Sequence, residues 1–369
     1  MRGPLHIVSF DNPFPPVYGG VIDVYYKVRA LHKIGYRIQL HCFVADIPDS
    51  VPAELSEVTD QVFFYRKRRN LFDFLSAKPY SVMLRRHPDL KSNLEKTCAP
   101  ILFEGLKPTA VNQLASVQKK ILRLQNIEQD YFFGIAKSET NVFKKLAYWF
   151  EGLKYEKYEP VISEFDAVVT LSRYENQHVQ NLIGKSHYIP LFHGNEKVLE
   201  LSGSGEFAIY AADFNTPDNR RAAAFIIDVF TETDFPLIIT GSGGEEDIKQ
   251  RIGKSKKITF VKTQSYPELQ QLLASAHINV MFSFQKSGSK LKVVNGLFNS
   301  RHCLINENMI DDPELVRLCH VANNKAQYLE KVKELWEQPF EDYEERKAVL
   351  EKVLSDVENA KKLAAIINE

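Results

Sequence analysis

Short apolar runs that stop at a small polar turn and give way to an amphipathic helix recur along this chain, and that alternation restricts its fold more than any single motif. The clearest case is an apolar run of strand length over 278–284, a break at Lys286-Ser287-Gly288-Ser289, and then Leu291, Val294, Leu297 and Phe298 at helical spacing. A second apolar segment follows over 302–305. Strand, turn, helix and strand in that order form a unit of a parallel sheet, with the turn at the strand's carboxyl end and the helix pointing its amino terminus back at it. Such a terminus carries unpaired N–H groups and partial positive charge, so it suits a phosphate, and Lys290 and Lys292 add formal charge. On these residues alone an ordinary crossover, with Ser and Gly merely capping a helix, is the other reading.

A chain of 369 residues exceeds what one core usually supports, which predicts two domains. Lys plus Arg and Asp plus Glu balance at 47 each, so no overall field favours nucleic acid, and no nucleic-acid partner is expected. Cys42, Cys98, Cys303 and Cys319 show no C-x-x-C spacing, which argues against a metal site or a disulfide framework and fits a reducing cytoplasm. No apolar run approaches the length of a membrane span, and the amino terminus leads directly into a short strand.

In the first half, strands are expected over 5–10 and 38–44, joined by the proline-rich loop from Asp11 to Gly20 and a helix from Val21 that stops at Gly35. Gly19 and Gly20 stand where a backbone can approach a ligand closely, although G-x-G-x-x-G is absent. A strand over 62–65 and a helix over 72–93, broken near Pro79 and Pro88, carry Arg66, Lys67, Arg68, Arg69, Arg85 and Arg86. That cationic cluster is read as a solvated face, with an anionic acceptor as the functional alternative. Strands over 101–103 and 120–124 enclose a helix over 108–117, and polar residues from Gln125 to Asp130 follow at a strand's carboxyl end. Glu128 and Asp130 are two apart on a helix, so at most one of them enters a site. One long aromatic, lysine-rich helix is expected over 138–163; Glu151, Glu156 and Glu159 dilute its charge and favour a packed helix over a membrane-surface one. Strands over 167–171 and 187–190 close this half, and 191–205 reads as a linker.

The alternation then restarts: strand 207–211, helix 218–231, strand 236–240, the turn Gly241-Ser242-Gly243-Gly244, helix 246–252, strand 258–262 and helix 267–275. A single charged helix is expected over 342–367. Gly184-Lys185-Ser186 and Gly253-Lys254-Ser255 mimic the end of a phosphate-binding loop, but Val179 and Ile248 stand where its first glycine belongs. Neither a G-x-S-x-G elbow nor an H-E-x-x-H pair occurs, which leaves serine-hydrolase and metalloprotease chemistry without support.

The order of these pieces resembles the GT-B glycosyltransferases of the glycosyltransferase family 4 (group 1) type. The matching parts are Pro15-Pro16-Val17-Tyr18-Gly19-Gly20 before the first helix, Gly241-Ser242-Gly243, and the stretch from Ser287 to Asn306. Leu122-Arg123-Leu124-Gln125-Asn126-Ile127-Glu128, Ala136-Lys137-Ser138-Glu139 and Lys290-Leu291-Lys292-Val293-Val294-Asn295 are similar to a branch common in Bacteroidetes.

The resemblance implies an α/β GT-B architecture of two Rossmann-like domains with parallel sheets facing across a cleft. It implies an acceptor-side domain over 1–195, a donor-binding domain over 205–340, and a terminal helix over 341–369 packing back on the first domain. The implied activity is retaining, metal-independent transfer of a hexose such as mannose from a nucleotide-sugar donor to a glycan or lipid-linked acceptor in polysaccharide biosynthesis. That work belongs in the cytoplasm, at the inner face of a membrane, with peripheral membrane contact and no cofactor beyond the nucleotide-diphosphate sugar substrate.

Gly19 and Gly20 would then lie near donor phosphates and acceptor, Gly241 and Gly243 on the donor side, and Gly288, Ser289 and Lys290 against the diphosphate, with Arg220 or Arg221 adding charge. Gln125 stands where the family commonly has a histidine and, with Glu128, is the catalytic candidate. Ser287 and Asn295 replace two glutamates, Asn295 keeping a hydrogen bond for a ribose hydroxyl, and Ala212-Asp213 replaces Gly-Arg. A catalytically silent relative that binds nucleotide or glycan, or supports another transferase, is the alternative function; a nucleotide-sugar epimerase of the same architecture is a third.

Overall fold

A computed structural model describes residues 2–114, 118–288 and 290–369, so Ser289 and part of the segment expected as a helix over 108–117 lie outside the described residues. The first sheet contains β1 (Pro4–Ser9), β2 (Arg37–Val44), β3 (Gln61–Arg66), β4 (Ile101–Glu104), β5 (Lys120–Leu124), β6 (Ala167–Thr170) and β7 (His187–Tyr188), in the order β3-β2-β1-β4-β5-β6-β7. The second contains β8 (Phe207–Asp213), β9 (Leu237–Ser242), β10 (Ile258–Val261), β11 (Ala276–Val280), β12 (His302–Ile305) and β13 (His320–Val321), in the order β10-β9-β8-β11-β12-β13. Every pairing in both is parallel. Parallel strands are covered on both faces, which is why they read as continuous apolar runs. Leu5 and Ile7 of β1 face Val24, Val28 and Leu31, whereas Val8 faces the other layer with Phe103, Leu122 and Val168.

The strand order reverses between β1 and β4 and again between β8 and β11, and at each reversal the flanking helices diverge and leave a crevice at the carboxyl strand ends. The helix Gly19–Lys33 starts at the first crevice, two residues earlier than its apolar spacing suggests. The helices Pro217–Phe230 and Leu291–Asn299 start at the second.

Three expectations need correction. The long helix over 138–163 is two pieces, Val142–Tyr158 and a 3-10 turn, Glu159–Glu164, and a separate helix, Glu128–Ser138, ends where it was expected to begin. The break at Glu139 is built by its carboxylate, which accepts from the backbone N–H groups of Thr140 and Asn141 at 2.9 Å each, and by Asn141, which caps Lys144 N at 3.1 Å. Nor is Val142–Tyr158 a packed helix throughout; Gly152 and Tyr155 are buried, but Val142, Phe143, Leu146, Trp149 and Phe150 are exposed. The charged tail is two helices, Tyr343–Val353 and Asp356–Asn368, because Ser355 caps Glu358 N at 3.3 Å and restarts the chain in a new direction. A polar helix, Arg173–Ile183, escaped sequence reading because Val179 and Glu175 are its buried residues, too few to give a periodic apolar signal.

After β13 the chain returns to the first sheet. Ala360, Leu363, Ala364 and Ile367 of the last helix join the core of Val24, Val28 and Leu31. Leu363 is fully buried there, so Leu363→Ala removes packed methyl groups from a site that cannot collapse freely. Its expected cost is about 2–5 kcal/mol. Urea unfolding followed by far-UV circular dichroism should show a lower midpoint; an unchanged midpoint would show that the last helix does not stabilise the first sheet's layer.

Candidate functional site

The carboxyl ends of β1 and β5 face those of β8 and β11 across the crevice, and the two halves touch there. On the first half, Gly20 sits against the Phe10 ring and Gln125: a β-carbon at Gly20 would lie 2.9 Å from Phe10 Cζ and 3.0 Å from Gln125 Oε1. A larger residue here would have to push these two side chains aside. Gln125 is buried and donates through Nε2 to Glu104 Oε2 at 3.4 Å. Glu104 Oε2 also accepts from Lys27 Nζ at 2.9 Å, Lys27 pairs with Asp23 at 2.7 Å, and Arg123 Nη2 lies 3.4 Å from Asp23. All four of these charged side chains are sealed from solvent. Burial drives the Asp23 carboxyl up, but Lys27 and Arg123 together bring it below the usual carboxylate range; burial dominates at Glu104 and holds it above that range. Sequence reading missed this network. Asp23 and Lys27 lie four apart on the buried side of an apolar helix, and that placement was its available signal.

Glu128 opens the helix Glu128–Ser138 and turns inward, 3.7 Å from Lys107 Nζ, with no hydrogen bond to its Oε2. Asp130 turns outward and accepts from Tyr174 at 2.8 Å. Two members of the cationic cluster also turn inward. Lys67 pairs with Asp11 at 3.0 Å, and Arg85 donates to Phe10 O and Ser81 O at 2.6 Å each. Arg66, Arg68 and Arg69 remain exposed, as a solvated face requires. Lys107, over the rings of Phe10 and Tyr131, completes a basin of three cations and two carboxylates beside Gly20. Burial lowers the pKa of Lys67, and the neighbouring charge of Arg85 adds to this.

On the second half, Lys290 turns back into its own loop: Nζ donates to Ser283 Oγ at 3.2 Å, Gln285 O at 2.9 Å and Ser287 O at 3.1 Å. Lys292 reaches the start of the helix Pro217–Phe230, where Nζ donates to Asn219 Oδ1 at 3.2 Å above the Tyr210 ring. Burial, and then the charge of Lys290, bring the Lys292 ammonium down to about 8. Arg220 holds the turn before that helix through Phe214 O at 2.7 Å and Asn215 O at 3.2 Å. Gly241 and Gly243 lie beside this turn, against Ala212 O and the Asn215 side chain. Asn295, one helical turn beyond Lys292, lies apart from the others; its Oδ1 accepts from Asn195 at 3.1 Å and Tyr266 at 3.2 Å.

The turn itself is already engaged by the first half. Ser287 Oγ accepts from Ile127 N at 2.8 Å and donates to Glu175 Oε1 at 3.0 Å; Gly288 N donates to the same oxygen at 2.9 Å. Gly288, at φ 97°, has a backbone that favours glycine, and a β-carbon there would lie 2.6 Å from Asn126 Oδ1. Beside this contact is a cavity of about 230 Å³ lined by residues including Leu171, Tyr188, Lys290, Val294 and Met309. It is smaller than the roughly 300–1,000 Å³ of most small-molecule sites. Among the described residues, no group of three His, Cys, Asp or Glu side chains is placed to hold a metal ion.

No family model matches the chain. An uncharacterised 44.6 kDa protein in the cps region of Klebsiella pneumoniae is 23% identical over 314 residues, which cover 80% of each chain. Among solved structures, sucrose-phosphate synthase from Thermosynechococcus elongatus superposes with a TM-score of 0.72 at 13% identity, covering 100% of this chain and 98% of that one. TarM gives 0.65 at 11% identity over 100% and 99% of the two chains. The Anabaena protein HepE, in complex with UDP and glucose, gives 0.63 at 9% identity over the whole of both. The two parallel-sheet α/β domains have the GT-B glycosyltransferase fold.

The Glu175 contact can be tested directly. Glu175→Ala deprives Gly288 N and Ser287 Oγ of a charged acceptor, a loss of the size that separates open from closed turns. Hydrogen exchange at the Gly288 and Ile127 amides should accelerate by about ten- to a hundredfold. Unchanged protection at both would show that the turn is held by something else.

Proposed function

We propose that the chain is a glycosyltransferase that moves a hexose from a nucleotide-sugar donor to an acceptor held by the first domain. The observation that carries this reading is the arrangement at the second switch point: two helix amino termini, Pro217–Phe230 and Leu291–Asn299, meet beside Lys292, and the turn before the second touches Ile127, two residues beyond Gln125. Aligned N–H groups and an ammonium favour charge that develops on a departing diphosphate, which is the transition-state demand of this transfer. Lys290 would shape the turn, Lys292 would meet the diphosphate, and Asn295 would meet a ribose hydroxyl. These positive groups would replace a metal.

The acceptor would lie in the basin of Asp11, Lys67, Arg85, Lys107 and Glu128, beside Gly19 and Gly20. Three cations against two carboxylates suit a glycan or lipid-linked acceptor that bears an anionic group. Retention at the anomeric carbon, a mannosyl donor and a place in cytoplasmic polysaccharide biosynthesis at the inner face of a membrane belong to the same reading. Neighbours of this fold include one bound to UDP-glucose, which supports a nucleotide-sugar donor.

A second reading, a catalytically silent relative, is favoured by one contact: the Glu175 carboxylate occupies Ser287 Oγ and Gly288 N, donors that a phosphate would need. Calorimetric titration of UDP, GDP and ADP without added metal separates the two readings. One nucleotide should bind in the micromolar range, and release of that nucleotide from its sugar conjugates with acceptor present marks the enzyme; binding without turnover marks the silent relative.

Lys292→Gln should weaken binding about ten- to a hundredfold, the range for a charged hydrogen bond. The diphosphate is bound by the ammonium and not by the free amine, so wild-type affinity should be full below about 8 and fall as the pH rises through the lysine's pKa. The variant's profile should be flat there. No binding of any of the three at neutral pH would overturn the donor site.

A further inference from the structure

The five apolar side chains that the helix Val142–Tyr158 turns to solvent form one stripe. Val142, Phe143, Leu146, Trp149 and Phe150 fall at the three- and four-residue spacing of a single helix face, the pattern that ordinarily marks a core-facing surface. Here it faces outward: Val142 is 65% exposed and Phe143 85%.

Beside it lies the 3-10 segment Leu71–Leu75, with Leu71 and Phe72 each 79% exposed, Leu75 85% exposed and Phe74 half-exposed. The two elements are fastened together. Lys154 Nζ donates to Phe74 O at 2.7 Å, Phe74 stacks on Tyr80 at 3.8 Å between centroids, and the backbone N–H groups of Tyr80 and Ser81 donate to Glu151 at 3.0 and 2.9 Å. Nine apolar side chains thus share one surface, far more than scattered exposure explains.

The charge around this surface is mostly of one sign. Arg68, Arg69, Lys78, Lys144 and Lys145 are exposed on the same two segments. Glu156, near the far end of the helix, is exposed beside the exposed Lys157, but the other nearby acids are engaged: Asp73 is buried beside Arg86, Glu151 accepts from the Tyr80 and Ser81 amides, and Glu139 accepts from the Thr140 and Asn141 amides. A chain of zero net charge therefore presents a cationic rim where its apolar side chains protrude.

We propose that this face docks on an anionic lipid bilayer. Phe and Trp would enter the headgroup boundary, while lysine and arginine, with flexible apolar stems, keep their charges at the lipid phosphates. The lysines weigh against a protein partner, because protein interfaces are depleted in lysine where aromatic residues are enriched. Among the described residues no helix is long and apolar enough to cross a membrane, so the contact is peripheral. The docking itself is independent of glycosyl transfer. It deepens that reading by placing the acceptor basin at the bilayer, since Arg85 donates to Ser81 O, one residue from the Tyr80 that stacks on Phe74.

The test uses the full chain and sedimentation with vesicles of phosphatidylglycerol and phosphatidylethanolamine, against vesicles of phosphatidylcholine alone. The protein should pellet with the anionic vesicles, less at high salt, with a blue shift of fluorescence that Trp149→Phe removes. Phe143→Ser with Leu146→Ser should lower partitioning at least about tenfold. Lys144→Gln with Lys145→Gln should lower it by about fivefold per cation removed. Each variant should keep the wild-type melting temperature and nucleotide affinity.

Equal pelleting with both lipids, no pelleting, or wild-type pelleting of the Phe143→Ser and Leu146→Ser protein would each overturn the proposal. So would a wild-type dimer, abolished by the same two substitutions, in a protein that ignores vesicles; the face would then belong to a second copy of the chain. Vesicle binding without nucleotide binding would leave the docking face standing and remove the transfer reading.

Discussion

Arg123 is the point through which the first domain is held to its geometry. Its guanidinium, sealed from solvent, donates to Ile189 O at 2.7 Å, Pro190 O at 2.8 Å and Thr170 O at 3.3 Å while it faces Asp23. Asp23 in turn accepts from Phe192 N at 2.8 Å. A buried charge without such partners would cost several kcal/mol, so the first helix, β4, β5, β6 and the chain leaving β7 are committed to one relative placement. The quartet is an expensive way to stabilise a core, because apolar residues of similar volume would do as well or better. What it adds is direction. It fixes where the chain leaves the first domain and, through Glu104, how Gln125 stands beside Gly20.

The same exit strand governs the relation of the two halves. Past Phe192, the backbone N–H groups of His193 and Gly194 donate to Asp356 at 3.2 and 2.9 Å, so the two chain crossings between the domains are tied side by side. Gly194 takes φ 74° with the Tyr26 ring packed where a β-carbon would lie, which makes this crossing a tight glycine turn rather than a loose linker. Two adjacent crossings of this kind form a narrow axis, about which domains can move without disturbing either sheet.

Much of the architecture was legible in the sequence, because both faces of a parallel strand are apolar and each strand is followed by a stop. β1, β2, β8, β11 and β12 are all strong runs of this type. The site was legible only as a place. Lys290 and Lys292 stand two residues apart at one helix start, yet one side chain caps its own loop and the other crosses to Asn219; nothing in their spacing distinguishes the two. Glu175 was invisible for a different reason: its helix is polar, and its meaning comes from Gly288, more than a hundred residues away. The aromatic helix that carries Phe143, Leu146 and Phe150 was expected to pack, yet these side chains are exposed, since periodicity reports that a face is apolar and not what covers it.

That Glu175 contact also limits what the crevice can hold. With Ser287 on Ile127 N, Gly288 on Glu175 and the Gly288 backbone against Asn126, the turn is held closed against the first half. The cavity of about 230 Å³ beside the turn is smaller than most small-molecule sites, so a ligand as large as a nucleotide sugar enters there only if the turn moves. Three hydrogen bonds hold the turn itself, two of them to one carboxylate, and the halves also meet where Asp311 accepts from Arg173 N and Tyr174 N and where Ser138 Oγ donates to Asp218. Net hydrogen bonds are worth about 0.5–1.5 kcal/mol each, or about 1.5–3 to a charged group. The turn's share is a few kcal/mol, the scale at which an open turn is populated as a minor state and a ligand with differential affinity can shift the balance. The buried quartet, by contrast, has no such slack. The turn is therefore the part of this contact that can yield, while the quartet keeps the first domain's side of the crevice as it is.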